Sequence, residues 1–165
     1  DLVAACAAAG FDVVPFHVLR TPFEQAKLWR TTRGSAEIEA ALADLRSKSA
    51  LFLAHCLHSV GPQYPEGRVR GHLTHALPGQ SWHQMREAVD CYVRVDGRAA
   101  WEEDDPGYDG YAVYAGAARD LGLEAGYFWR GKKCDPVHVQ WRKGSVLSVV
   151  GGWAALDVKM EALYG

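Results

Sequence analysis

An aspartate and a histidine each interrupt an otherwise apolar strand pattern, and those interruptions are the places to look for chemistry. Over 88–95 the chain alternates, with Val89, Cys91, Val93 and Val95 on one face and Asp90, Tyr92 and Arg94 on the other. Over 136–142, Val137, Val139 and Trp141 share a face while His138 and Gln140 share the opposite one. If the two strands are neighbours, Asp90 and His138 project into one volume. His83, seven residues before Asp90, can fold back to the same point. Two imidazoles and a carboxylate suit zinc (Zn2+), and three protein ligands leave one position for water. Asp135, three residues before His138, stands at the mouth of that strand. There it can act on water without binding the metal, which is the task of a general base in metal-assisted hydrolysis.

The elements that must position these residues follow from periodicity and punctuation. An Ala-rich helix is expected over 2–9, stopped by Gly10. Alternation over 12–19, with Val14, Phe16 and Val18 on one face, predicts a strand. Thr21-Pro22-Phe23-Glu24 predicts a helix start: Thr21 as N-cap, Pro22 in the first turn and Glu24 closing a capping box. Ile38, Leu42, Leu45, Phe52 and Cys56 keep one helical face over 35–59, with a kink expected near 47–49. Prolines and glycines make 61–81 mostly loop, and 102–110 an acidic surface loop. Tyr111, Tyr114, Ala115, Ala118 and Leu121 mark a helix closed by Gly122, a short strand is expected over 127–129, and a last helix over 153–163. Irregular alternation of helices with about four short strands predicts an α+β fold with a small antiparallel sheet.

The segment Ser81-Trp82-His83-Gln84-Met85-Arg86-Glu87-Ala88-Val89-Asp90 resembles the S-x-H-x-x-G-x-A-x-D motif of the VanY-like zinc peptidases of bacterial peptidoglycan. These are D,D-carboxypeptidases and L-alanyl-D-glutamate endopeptidases, many phage endolysins among them. Asp135-Pro136-Val137-His138-Val139-Gln140 is similar to the family's second motif. The stretch 19–29, with Arg20-Thr21 ahead of Glu24-Gln25 and Leu28-Trp29, resembles its first. The resemblance spans 19–141 in family order. It implies His83, Asp90 and His138 as zinc ligands, Asp135 as catalytic base, and Arg20 as the arginine that steadies an oxyanion or a substrate carboxylate. It also implies Gln25 and Ser81 in the substrate cleft, and a small α+β zinc-peptidase fold, shared with Hedgehog signalling domains, with helices on one face of the sheet. The expected reaction is hydrolysis of a stem-peptide bond, L-alanyl-D-glutamate endopeptidase first and D-alanyl-D-alanine carboxypeptidase as the alternative. A non-catalytic zinc module that binds cell wall or a protein is the alternative from another class. Two departures stand out. Arg86 occupies the family's glycine, where it is expected either to force a different local path or to place a charge at the cleft. A helical insertion at about 35–67 separates the first two motifs.

Composition bounds these readings. The 165 residues carry 18 Lys+Arg against 20 Asp+Glu, a net charge of −2, which is no basic footprint for nucleic acid. No apolar run approaches the ~18 residues of a membrane span. With 48% hydrophobic and 23% charged residues, a single globular domain over 1–165 and a monomer are expected. The chain opens at Asp1 without methionine, as expected of a processed or trimmed product. The peptidoglycan substrate implies an extracytoplasmic setting, reached by secretion, injection or lysis. An inhibitor or immunity partner is not legible. The four cysteines form no C-x-x-C pair, and buried free thiols are expected of them. His55 and His58 on the long helix, His72 and His75 in the loop and His17 in the first strand are expected to be structural or solvent-exposed rather than metal ligands.

Overall fold

The computed structural model describes residues 1–61, 73–131 and 134–165. In chain order the elements are α1 (Leu2–Ala8), β1 (Asp12–His17), α2 (Pro22–Arg30), α3 (Ser35–Ser47), α4 (Leu51–Ser59), β2 (Ala88–Val95), β3 (Arg98–Ala99), α5 (Gly110–Asp120), β4 (Glu124–Ala125), β5 (His138–Gln140), α6 (Val146–Val150) and α7 (Trp153–Tyr164). Single 3-10 turns cover Trp82–Met85 and Gly126–Phe128. The fold is α+β with one antiparallel sheet, as expected. Contacts divide the chain into two compact units, Asp1–Leu19 with Arg86–Lys143, and Arg20–Met85 with Gly144–Gly165.

The first unit holds the sheet, in the order β1-β2-β5-β4 with β3 as a hairpin on β2. Its apolar face presents Val13, Cys91, Val93 and Val139 to Cys6 of α1 and to Tyr111, Tyr114, Ala115 and Ala118 of α5. Each side chain of valine size or larger sealed there contributes about 1.5–3 kcal/mol relative to exposure. The opposite face carries the polar positions of β2. Val95 and Arg98 pair across Asp96-Gly97, whose φ values of +49° and +80° make the left-handed two-residue turn that Asp-Gly favours.

Helices make the second unit. Leu42 and Leu45 of α3, Leu53 and Leu57 of α4, and Leu156 and Met160 of α7 are sealed from solvent. The α2 start forms as its sequence predicts: Thr21 Oγ1 accepts from the Glu24 amide at 3.2 Å while Glu24 Oε2 accepts from the Thr21 amide at 2.7 Å. The N-terminus of α4 has no cap from its own chain neighbours. Instead Asp157 of α7 accepts from the amides of Leu53 (2.8 Å) and Phe52 (3.1 Å).

Several expectations need correction. The helix read over 35–59 is two helices, broken where Ser49 takes φ +59°. The described part of the expected insertion, 35–61, therefore holds α3 and α4, which supply much of this unit's core. Residues 127–129 are not a strand; Gly126–Phe128 is a 3-10 turn, with β4 just ahead of it. In β1 it is Val13 that is sealed, whereas Phe16 and Val18 are exposed, and the register shifts between Pro15 and His17. Phe16 instead packs tilted against Tyr92 and edge-on against Trp101 at ring separations of 5.9 and 5.6 Å. All four cysteines are free; Cys6, Cys56 and Cys91 are buried and Cys134 is exposed. No helix among the described residues is long and apolar enough to cross a membrane.

Candidate metal centre

Strand pairing brings the two interrupting residues together. β2 and β5 pair antiparallel with Asp90 opposite His138, so both point to the polar face of the sheet. His138 Nδ1 lies 3.0 Å from Asp90 Oδ1, and its Nε2 lies 3.1 Å from Gln140 Oε1. The amide nitrogen of Gln140 donates to the Arg142 carbonyl at 2.6 Å and to Glu124 Oε2 at 3.3 Å. Those two acceptors fix the amide orientation, so Oε1 is the end that meets His138. Glu124 is held in turn by Trp129 Nε1 at 2.8 Å, and the Trp129 ring packs 5.3 Å from the imidazole. β4, the turn after it and β5 thus build one supporting chain behind His138.

That chain has an electrostatic consequence. An oxygen acceptor at Nε2 requires a proton there, and in a neutral imidazole Nδ1 is then a bare lone pair. A bare lone pair 3.0 Å from a buried carboxylate is repulsive, and a positive charge between them relieves it. A proton is one such charge. Burial pulls the His138 pKa down, but the hydrogen bond and charge of Asp90, with help from Gln140 and Asp135, outweigh it and the net direction is up. A metal ion is the other. Metal-bound histidines commonly donate their second N–H to an oxygen acceptor, which is the role Gln140 fills.

His83 completes the donor set. Each of His83, Asp90 and His138 offers a ligand atom, and these atoms lie within 4.8 Å of one another. All three residues are buried, at 2%, 8% and 8% exposure. The group could hold a metal ion, and among the described residues no other cluster of histidine, cysteine and acidic side chains meets the same geometry. His83 sits in the Trp82–Met85 turn, which is anchored on both sides. Trp82 Nε1 donates to the Gly144 carbonyl at 2.9 Å, Gln84 Nε2 donates to the Thr21 carbonyl at 3.3 Å, and Tyr164 donates to the Gln84 carbonyl at 2.7 Å.

The other expected site residues fall as follows. Asp135 is half-buried on the turn leading into β5, where its carbonyl accepts from the His138 amide at 3.2 Å, and its charge acts on His138. Arg20 Nη1 donates to Gln25 Oε1 at 3.0 Å. Gln25 is fully buried, and its nitrogen is engaged by Thr74 Oγ1 and the Ala76 carbonyl. Gln25 therefore orients Arg20 rather than presenting surface to a ligand. Ser81 is half-buried, and its amide donates to Gln84 Oε1 at 3.3 Å. Arg86 is exposed and takes φ +61°, so arginine adopts the left-handed path that glycine would follow freely. His55, His58 and His75 are exposed, His17 stands opposite Asp90 in the β1 register, and His72 lies outside the described residues. Sequence pattern assigns no role to Gln140, Glu124 or Trp129; the Gln at the end of the second motif is the one signal that points to this support.

Compared with known proteins, the chain matches no family model and no curated sequence.

Proposed function

We propose that this protein is a zinc-dependent peptidase acting on the stem peptide of bacterial peptidoglycan, cutting the L-alanyl-D-glutamate bond. The observation that carries the reading is the His138 imidazole, held by Gln140 so that Nδ1 faces the Asp90 carboxylate, within one ligand group that includes His83. A two-histidine, one-carboxylate donor set fits zinc with a position left for chemistry, unlike the four-ligand closure typical of structural sites. Zinc bound there would polarise a carbonyl and bring the pKa of a water from 15.7 towards about 7.

The protein's own groups do the rest. Asp135 accepts the proton of the attacking water and returns it to the leaving amine; its place three residues before His138, with its charge felt by that ring, supports this role. Arg20, steadied by Gln25, supplies a fixed guanidinium for developing negative charge or for a substrate carboxylate. Gln140 and Trp129 keep His138 in one tautomer and one orientation.

Mass spectrometry of defined muropeptides, incubated with and without a zinc chelator, tests the reading. Chelator-sensitive release of a peptide beginning at D-Glu is the expected result. Loss of a terminal D-Ala would instead assign the carboxypeptidase. Absence of any cleavage by folded, zinc-loaded protein would turn the reading towards a binding module. Asp135→Asn is expected to keep zinc and lose about 10²–10⁴ in rate. A variant as active as the wild type would remove Asp135 from the mechanism.

A further inference from the structure

Within the sheet unit, a depression of about 510 Å³ lies around the paired ends of β2 and β5. Its lining includes the apolar residues Val89, Leu123 and Val139, together with Trp141, Gln140 and Arg86. The volume lies in the range of small-molecule and peptide-side-chain sites. Two arginines and one glutamate border it. Arg142 is neutralised by Glu87, at 2.7 Å. Arg86 has no hydrogen bond or ion pair among the described residues and is left as one uncompensated positive charge beside an apolar floor. It holds that place from a left-handed backbone, φ +61°, which a bulky residue adopts only at a cost. Trp141 is 68% exposed beside it, a large apolar surface that no part of the described chain covers.

From this charge and shape we infer that the depression is a substrate subsite for a carboxylate carried on an aliphatic peptide segment, with Arg86 as the specificity residue. The guanidinium fork meets the carboxylate, the partly buried Val89 and Leu123 receive the methylene chain, and the Trp141 ring forms one wall. The depression lies where β2 and β5 leave the sheet, with Val89 and Val139 on the face opposite Asp90 and His138. The identity of the carboxylate rests on the peptidase reading, which supplies the free acid of D-glutamate in the stem peptide. The existence of the subsite does not rest on it.

Binding to zinc-free protein separates the two claims, because no turnover is needed. The probes are the tripeptide L-Ala-D-Glu-L-Lys and the same peptide with the free D-Glu carboxylate amidated, followed by tryptophan fluorescence. The acid form is expected to bind about tenfold or more tightly than the amide, the difference made by one charge-assisted contact. Arg86→Gly, which suits the local φ, is expected to erase that preference while leaving thermal stability equal or higher. Arg86→Gln should erase it too, and Trp141→Phe should remove the fluorescence response. Equal binding of both peptides by the wild type, a preference retained in both Arg86 variants, or a signal that survives Trp141→Phe would each overturn the subsite. Chelator-sensitive muropeptide cleavage without the preference would sink the subsite alone. The preference without cleavage would leave the subsite standing and sink the peptidase reading.

Discussion

Asp157 in the helical unit and Asp90 in the sheet unit are both carboxylates withdrawn from water, 6% and 8% exposed, and they are satisfied in different ways. Asp157 meets two amides at an otherwise uncapped helix start, 2.8 and 3.1 Å away, so its charge is answered by backbone donors and the local helix dipole. Asp90 meets the Nδ1 of an imidazole whose proton is directed to the other nitrogen by Gln140. The first arrangement is complete in the protein alone. The second is a pair that a proton or a metal ion can join. Burial of an acid says little by itself; the character of its partner separates structural support from chemistry.

Exchanging the two losses breaks this comparison most strongly. Asp90→Ala is expected to weaken zinc binding by more than the roughly 10–100-fold typical of supporting residues, since on the proposed reading it deletes a ligand. Zinc-free stability should change less, because His138 can shed its proton. Asp157→Ala should do the opposite, lowering stability by about 2–3 kcal/mol through two unsatisfied amides while zinc affinity stays put. Zinc titration calorimetry and urea unfolding of both variants check this. If Asp157→Ala also abolished zinc binding, or Asp90→Ala left it intact, the division of roles would fail.

Gln140→Ala sharpens the same contrast from behind the imidazole. Loss of the acceptor at Nε2 frees the tautomer, and zinc affinity is expected to drop by about 10–100-fold with the three donors unchanged. Competition against a chromophoric chelator measures it, and an unaltered affinity would show that Gln140 orients nothing.

A smaller effect comes from pH. The His138 pKa lies above its ordinary 6.5 in the folded zinc-free protein, so the folded state holds the proton more tightly than the unfolded chain. Its stabilising contribution is fully present below about pH 6.5 and is lost as pH climbs through the raised folded value. Zinc affinity is expected to run the other way and rise with pH, since a metal held by His138 would displace that proton. Unfolding of zinc-free wild type and of His138→Asn across pH 5.5–9 isolates the contribution; parallel curves would contradict it.

Much of this was legible because strand alternation carries two messages at once. The same period that puts Val89, Cys91 and Val93 inward puts Asp90 outward, and β2 spans Ala88–Val95 as the pattern predicts. The Thr21–Glu24 capping box was equally local and equally readable. The Asp96-Gly97 turn is a hairpin signal carried by the sequence itself. β1 misled because a register shift between Pro15 and His17 separates its alternation from burial, leaving Phe16 and Val18 outside. Asp157 could not be read as a cap, since the amides it serves lie more than 100 residues away in sequence. Gln140 was visible as a motif letter, but its role depends on Glu124 and the Arg142 carbonyl, partners that exist only once β4 and β5 have paired.

The central claim is that His83, Asp90 and His138 bind one zinc ion together. Zinc K-edge absorption of the loaded protein, beside the His83→Ala variant, tests it most directly. The account predicts one zinc per chain in a shell of two imidazole nitrogens and oxygen without sulfur, and loss of one imidazole contribution or of the metal itself in the variant. A sulfur-containing shell, or a spectrum unchanged by His83→Ala, would contradict it.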